Sequence, residues 1–408
     1  MKNRFFGKIT LILFLFALPF SLMAYDFGFV ANINTGTNGT DGDDSNFIFR
    51  ADLWPRFSAL IGDNGEFIVS AGFSLGLDEE EDFYYVPELL HTEFTMRFGA
   101  SAIRAGRFGY SDPMSLVADG LFDGVQFIHT SNIGFFRAGA WYTGFLYKKN
   151  ANITMTSFDD EKFSEAIDYN DFANTYFATK RAFASIGWEH PSIGELLHLN
   201  TAVIAQMDLN DKDVKYNNQY FIFNMRIPVN MFVVELGGGL ELSQITGDKD
   251  ESGMAFAGAF GIHWLFPSEF NSRLSFIGKF ASGKSEGSHE AFVPISTIYF
   301  GQVFNSKISG LTIAALNYSG RFTQTFSASA TASYFIRNDL GTFQGYPASS
   351  DSDGYFLGPE FSARLVWAPF SDLQLSLGGG VFVPSLGDAG PKEKMQWHAA
   401  LNVTMNLY

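Results

Sequence analysis

From Tyr25 to Tyr408 the chain repeats one unit, a run of alternating apolar and polar side chains followed by a turn. The last run is the clearest. Met395, Trp397, Ala399, Leu401, Val403, Met405 and Leu407 share one parity, and Gln396, His398, Ala400, Asn402, Thr404 and Asn406 share the other. Successive residues of a strand point to opposite faces, so one face suits hydrocarbon and the other suits water or polar neighbours. Apolar rows of the same kind are Phe47, Phe49, Ala51 and Leu53; Phe67 to Leu75; Phe221, Phe223, Met225 and Ile227; and Leu373, Leu375 and Leu377.

The connections alternate in length. Short turns are expected near Asp63–Glu66, Gly99–Ala102, Ser131–Ile133, His190–Gly194, Pro228–Asn230, Pro267–Asn271, Ser319–Arg321 and Pro369–Asp372. Longer, acidic or irregular loops are expected near 35–45, 78–82, 111–123, 147–178, 209–213, 245–252, 284–308, 338–353 and 385–392. Eight turns and nine loops separate 18 strands. The pattern predicts an all-β fold, an antiparallel up-and-down transmembrane barrel of about 18 strands, with 16 as the alternative count. Short turns and both termini would face the periplasm. No plug domain is expected; loops 147–178 and 284–308 are long enough to fold inward. Trp141, Tyr142, Trp188, Trp264, Trp367 and Trp397 would form interfacial girdles. Tyr408 falls out of phase with the apolar row that ends at Leu407.

Residues 1–24 look like a signal peptide. Lys2, Arg4 and Lys8 precede an apolar core from Ile9 to Phe20, and cleavage after Ala24 is expected. The domain layout is therefore signal peptide 1–24 and outer-membrane barrel 25–408. Removing the signal takes three of the 27 Lys and Arg and leaves 43 Asp and Glu, a formal charge of -19. That acidity argues against a nucleic-acid partner, whose phosphates need a cationic face. The chain has no Cys, which excludes disulfides, thiolate metal sites and a lipid-anchored cysteine. Beyond the signal no apolar run reaches the length of a membrane helix, although hydrophobic residues make up 46% of the chain. A barrel reconciles the two facts, because alternation dilutes the hydropathy of each strand. A secreted sandwich or propeller would also alternate, but the size and chemistry of the apolar rows and the turn pattern favour the barrel.

The polar parity carries the candidate chemistry. Arg50, Asp52 and Arg56 share the inner face of strand two; His91, Glu93 and Arg97 share that of strand four. Arg137, Arg181, Asn224 with Arg226, Glu235, and Arg273 with Lys279 follow, and Glu360, Ser362 and Arg364 close the series. A charge facing lipid at mid-depth costs about 2–4 kcal/mol for Arg or Lys, so these groups are expected to line the pore. Arg104 and Arg107 have opposite parity; Arg107 is expected inward because Arg104 lies nearer the short turn. The carboxylates Asp52, Glu93, Glu235, Glu241 and Glu360 can pair with part of this set. The remaining Arg would make a lining whose guanidinium forks hold anionic or polyhydroxylated solutes.

Two stretches carry a resemblance. Gly106-Arg107-Phe108-Gly109-Tyr110-Ser111-Asp112-Pro113 with Asp119-Gly120-Leu121-Phe122-Asp123-Gly124-Val125, and Gly358-Pro359-Glu360-Phe361 continuing through Leu373 to Pro384, resemble blocks of the alginate-export-type outer-membrane porins. The resemblance implies an 18-stranded monomeric barrel with an Arg-rich conduit, with Arg107, Glu360 and Arg364 at the pore. The acidic loops differ, so that family's substrate does not transfer.

Three motifs read as coincidence. Gly278 to Ser285 matches GxxxxGKS, but a phosphate loop must feed a helix, and Ser285 to His289 starts none. Asp248, Asp250, Ser252 and Gly253 begin like a calcium loop, but position 259 is Ala where Glu is required. His91 with Glu93, and His263, are too isolated for a hydrolytic site. The expectation is a porin, not an enzyme, without cofactor or metal, that passes small hydrophilic anionic or sugar-acid solutes. Its partners would be outer-membrane lipid, those solutes and the barrel-assembly machinery. The alternatives are a transporter of hydrophobic substrates, suggested by 46 Phe, and a surface adhesin.

Overall fold

The computed structural model describes residues 25–43, 45–77, 83–247, 250–266, 270–284, 290–340, 352–389 and 394–407. The signal peptide, loop 78–82, Asp248, Ser285 to His289 and Tyr408 lie outside them, as do parts of the loops at 284–308, 338–353 and 385–392. Eighteen strands form one sheet. They are β1 (Tyr25–Thr40), β2 (Ser45–Ile61), β3 (Gly65–Leu77), β4 (Phe83–Phe98), β5 (Ser101–Ser111) and β6 (Asp119–Ser131). Next come β7 (Gly134–Tyr142), β8 (Arg181–Ile193), β9 (Leu197–Asp208), β10 (Lys215–Val229), β11 (Phe232–Thr246) and β12 (Glu251–Leu265). The last are β13 (Arg273–Ala281), β14 (Leu311–Arg321), β15 (Phe326–Arg337), β16 (Phe356–Phe370), β17 (Leu373–Phe382) and β18 (Gln396–Leu407). Each is antiparallel to its neighbours, and β1 pairs with both β2 and β18, so the sheet closes. Closure leaves no edge strand with unpaired backbone groups.

The strands alternate as the sequence predicts. Phe47, Leu53, Phe73, Leu75, Phe221, Phe223, Leu365 and Leu377 are exposed on the outer face. The short turns use left-handed backbone: Gly62 (φ 59°), Gly99 (φ 58°) and Asn230 (φ 54°) each lie between paired strands. Tight antiparallel connections need such residues, and the turn then fixes the register. Some boundaries differ from expectation. Residues 35–40 belong to β1, β14 runs on through Arg321, and a register shift between His190 and Ile193 moves the β8–β9 turn later. Trp141 is not an interfacial girdle residue: it is 3% exposed and pairs with Gly124 on the inner face. No described helix is long and apolar enough to cross a membrane.

The short-turn end and the long-loop end differ inside. Toward the loop end the barrel holds an apolar core. Inward Phe108, Tyr110, Phe122, Trp141, Phe183 and Tyr220 pack with Met114, Leu116, Val117, Ile153, Phe292, Ile295 and Phe304, which come from inter-strand segments. The segment 143–180 carries three short helices, α1 (Lys148–Ala151), α2 (Ser157–Ser164) and α3 (Phe172–Tyr176). The segment 290–310 carries a two-stranded ribbon, Tyr299–Phe300 with Ser306–Lys307.

Candidate functional site

The inner wall uses its charges in two ways. Near the loop end they hold inward-folded segments by the backbone. The Asp112 carboxylate accepts hydrogen bonds from the amides of Met114, Leu116, Val117 and Ala118 at 2.7–3.1 Å. Asn224 Nδ2 donates to Pro113 O at 3.0 Å and ties that turn to β10. Glu360 accepts from the amides of Gln302, Val303 and Phe304 at 2.7, 3.0 and 2.8 Å. Glu241 accepts from the Val293 amide at 2.7 Å and from Asn218 and Tyr216. Arg181 is wholly buried; its Nη2 lies 2.5 Å from Asp159 on α2 and 3.4 Å from Asp208. Asp159 in turn closes a capping box with Thr156. The segments also hold each other: Lys307 Nζ is 2.6 Å from Asp160, and the Ile295 amide donates to Val117 O at 2.7 Å. In the segment 143–180, burial pushes the Lys148 ammonium down to about 8, while its Nζ donates to Glu165 O at 2.5 Å. Arg181 and Glu360 are thus inward, as the alternation predicts, but are occupied in positioning these segments.

Nearer the short-turn end the charged side chains meet the lumen. Arg97, Arg226 and Arg137 keep 61%, 52% and 44% of their side chains exposed while pairing with Glu66 (3.5 Å), Glu235 (3.2 Å) and Glu189 (2.7 Å). Further toward the loop end, Arg50 pairs with Asp52 at 2.8 Å and donates to Ser74. Arg56 is half-buried on the same face. Arg273 and Arg364 are exposed, with no ion pair to another described residue. Lys279, by contrast, lies at the loop end of β13, 4.6 Å from the ring centre of Phe300. Glu93 accepts both Arg104 nitrogens, at 2.8 and 2.9 Å, and is 2.9 Å from His91.

Arg107 departs from expectation. Arg104 lies opposite Thr95, on the same face as Glu93, whereas Arg107 lies opposite Thr92 and Asp123 on the outer parity. Its guanidinium is satisfied there by Asp123 and by the carbonyls of Leu89 and Phe145. The two Arg are three residues apart, so only one can face the lumen, and the partner already on the inner face, Glu93, selects Arg104. Sequence reasoning also passed over Glu189, His198 and Arg337. The parity of β8 and β9 identifies the first two as inward. Arg337 is 2% exposed and donates to the carbonyls of Ser352 and Gly354.

Asp248 of the calcium-like motif and Ser285 of the phosphate-loop motif lie outside the described residues. Gly278–Ala281 are the end of β13, and no group of three potential metal ligands occurs among the described residues. His91 and His263 stand on β4 and β12, each bonded within its own surroundings. A recess of about 770 Å³ between Phe136, Trp188, Phe223 and Phe256 opens on the outer face, away from these charges.

No protein-family model matches the chain, so none stands behind the resemblance of residues 106–125 and 358–384, and no curated protein matches it in sequence either. Solved structures do. OccK2 (OpdF) of Pseudomonas aeruginosa matches with a TM-score of 0.63 at 13% identity, over 94% of this chain and 97% of that one. The same protein in complex with glucuronate matches at 0.62 and 12%, over 94% and 98%. The outer membrane protein OpdK of the same organism matches at 0.60 and 12%, over 94% and 98%. The chain therefore shares, along nearly its whole length, the barrel fold of these Pseudomonas proteins.

Proposed function

We propose that residues 25–408 form an outer-membrane channel through which small hydrophilic solutes diffuse passively, with a preference for anions such as sugar acids. The observation that carries this reading is the contrast between the two faces. The outer face is apolar and aromatic, while the inner face near the short turns presents exposed guanidinium groups at Arg97, Arg137, Arg226, Arg273 and Arg364. Isolated Arg or Lys on a lipid-facing wall would cost about 2–4 kcal/mol each at mid-depth. Inside a water-filled lumen they act instead as fixed positive charge that raises the local anion concentration. The likeness to a barrel crystallised with glucuronate supports sugar acids as the solute class. In this reading residues 1–24 are removed on export, both termini and the short turns face the periplasm, and lipid and the barrel-assembly machinery are the partners. The interior aromatics do not favour a hydrophobic substrate, because Phe108, Phe122 and Phe183 are already covered by loop residues.

The test is single-channel conductance of refolded residues 25–408 in a planar bilayer under a KCl gradient. Discrete steps with an anion-directed reversal potential support the reading; stable insertion without steps overturns it. Replacing Arg97, Arg137, Arg226 and Arg364 together with Gln should lower the anion preference, and unchanged selectivity overturns the lining.

A further inference from the structure

One row of side chains runs round the inner wall from β7 to β13. Arg137 Nη2 donates to Glu189 Oε2 at 2.7 Å, and Glu189 Oε1 is 3.1 Å from His198 Nε2. His198 lies directly opposite Arg226 in the β9–β10 register. Arg226 lies 3.2 Å from Glu235 Oε1, and Glu235 Oε2 is 3.5 Å from His263 Nε2. His263 Nδ1 ends the row at Ser275 Oγ, 2.9 Å away. The order is Arg–Glu–His twice over, carried on consecutive strands. All seven residues stand within five positions of a strand end at the short-turn rim. A third set, Arg104–Glu93–His91, has the same composition on β4 and β5.

We infer that His91, His198 and His263 are selectivity-determining residues whose protonation sets how strongly the lumen prefers anions. The inference rests on the channel reading above. Each Glu offsets one Arg, so a set with neutral imidazole carries no net charge, and a protonated one carries a single positive charge. The groups facing the imidazoles are few. His198 meets Glu189 from β8 and Arg226 from β10. His263 meets Glu235 from β11 and Ser275 from β13, with Arg273 two residues along. His91 meets Glu93 on its own strand, which it shares with Arg104 of β5, and has Ser70 opposite on β3. The protonated ring of each keeps its carboxylate contact. At His263 only the Ser275 hydroxyl has to turn, because it donates to a neutral Nδ1 and accepts from a protonated one. Histidine is the side chain that ordinarily changes charge between about pH 5 and 8. The belt can therefore gain three positive charges without moving a strand. Asn224 bonds both Glu235, at 2.7 Å, and Pro113 O, so the second set lies next to the turn that folds into the lumen.

The experiment reads reversal potential under a KCl gradient at pH 7.5 and 5.5, a range above the ordinary titration of carboxyl groups. In the wild-type channel the chloride-to-potassium permeability ratio should rise about twofold or more on acidification. H91Q/H198Q/H263Q should lose that rise. H91R/H198R/H263R, with fixed charge, should show the acidic ratio already at pH 7.5 and little change below it. A wild-type ratio independent of pH, or an undiminished rise in the Gln variant, overturns the inference and leaves the channel reading standing. Absence of steps in the wild type overturns both.

Discussion

Arg181 and Asp159 lie 2.5 Å apart with both side chains fully excluded from solvent, and they join the barrel wall to a helix of the segment 143–180. Attraction between the two in a low-dielectric interior is large, but so is the cost of drying them. The pair is therefore better understood as a positional latch than as a source of net stability. Removing one partner strands the other. Arg181→Met should destabilise the docked segment by about 3–5 kcal/mol, because Asp159 loses its counter-ion in a site closed to water. Proteolysis of the intact barrel should then cut within 143–180, and the channel should become noisier or larger. The double variant R181M/D159L should recover protection; equal sensitivity in both would show that the segment docks without the latch.

Arg104 and Arg107 should separate function from stability. Arg104 neutralises Glu93 on the inner face, so Arg104→Gln leaves that carboxylate without its guanidinium, with only His91 and the Thr95 hydroxyl beside it, and should shift the reversal potential toward cations at neutral pH. Arg107 pairs with Asp123 on the outer parity, so Arg107→Gln should leave selectivity unchanged. It should lower stability by about 1–3 kcal/mol, since Asp123 and two carbonyls lose their donor. Thermal unfolding and reversal potential, measured on both variants, check the assignment; a selectivity change in R107Q alone would reverse it.

This pair also marks where the sequence stops being legible. Parity and turn residues are local, and they suffice for 18 strands, the outward rows and the inward Arg. The choice between Arg104 and Arg107 turns on partners in neighbouring strands. A register shift between Ser70 and Ala71 leaves Leu90 outside the β3–β4 pairing and changes the parity of β4 along its length. Trp141 departs from expectation for another reason. Near the loop end the inner face is apolar too, because inward-folded segments cover it, so alternation no longer distinguishes the faces. The contacts that fold those segments inward join distant residues, as Ser296 with Asp119 and Lys307 with Asp160 do. No local pattern announces that Glu360, Glu241 and Asp112 grip backbone amides rather than solutes.

Glu360 illustrates the consequence. Its carboxylate accepts three consecutive amides, and the turn it holds begins at Gly301 with φ 88°. Glu360→Gln keeps an accepting oxygen but removes the charge, and should cost about 1–3 kcal/mol. Amide exchange at Val303 and Phe304 should accelerate while exchange in β1 and β18 stays slow. Gly301→Ala should loosen the same turn, since an added Cβ would lie 2.7 Å from Glu360 Oε2 on left-handed backbone. Ion selectivity should change little in either variant unless the segment 290–310 leaves the lumen.

Lys148 supplies a pH dependence of the same sense as that of a paired carboxylate, but in an alkaline window. Burial lowers its ammonium from 10.5 to about 8 in the folded protein, against a smaller pull from Glu165. Below the folded value both states hold the proton, and the docked segment bears the desolvation of a charged amine. Between about 8 and 10.5 the undocked segment binds more protons than the docked one, so docking strengthens as pH rises. The contribution is complete above the unfolded value and is lost as pH falls through the folded one. Protease resistance of residues 143–180 should therefore be greater at pH 9.5 than at pH 7 in the wild-type barrel. Lys148→Met has no proton to lose and no charge to bury, so its resistance should be flat across that range. A wild-type profile that is also flat would mean that the amine stays hydrated when the segment docks.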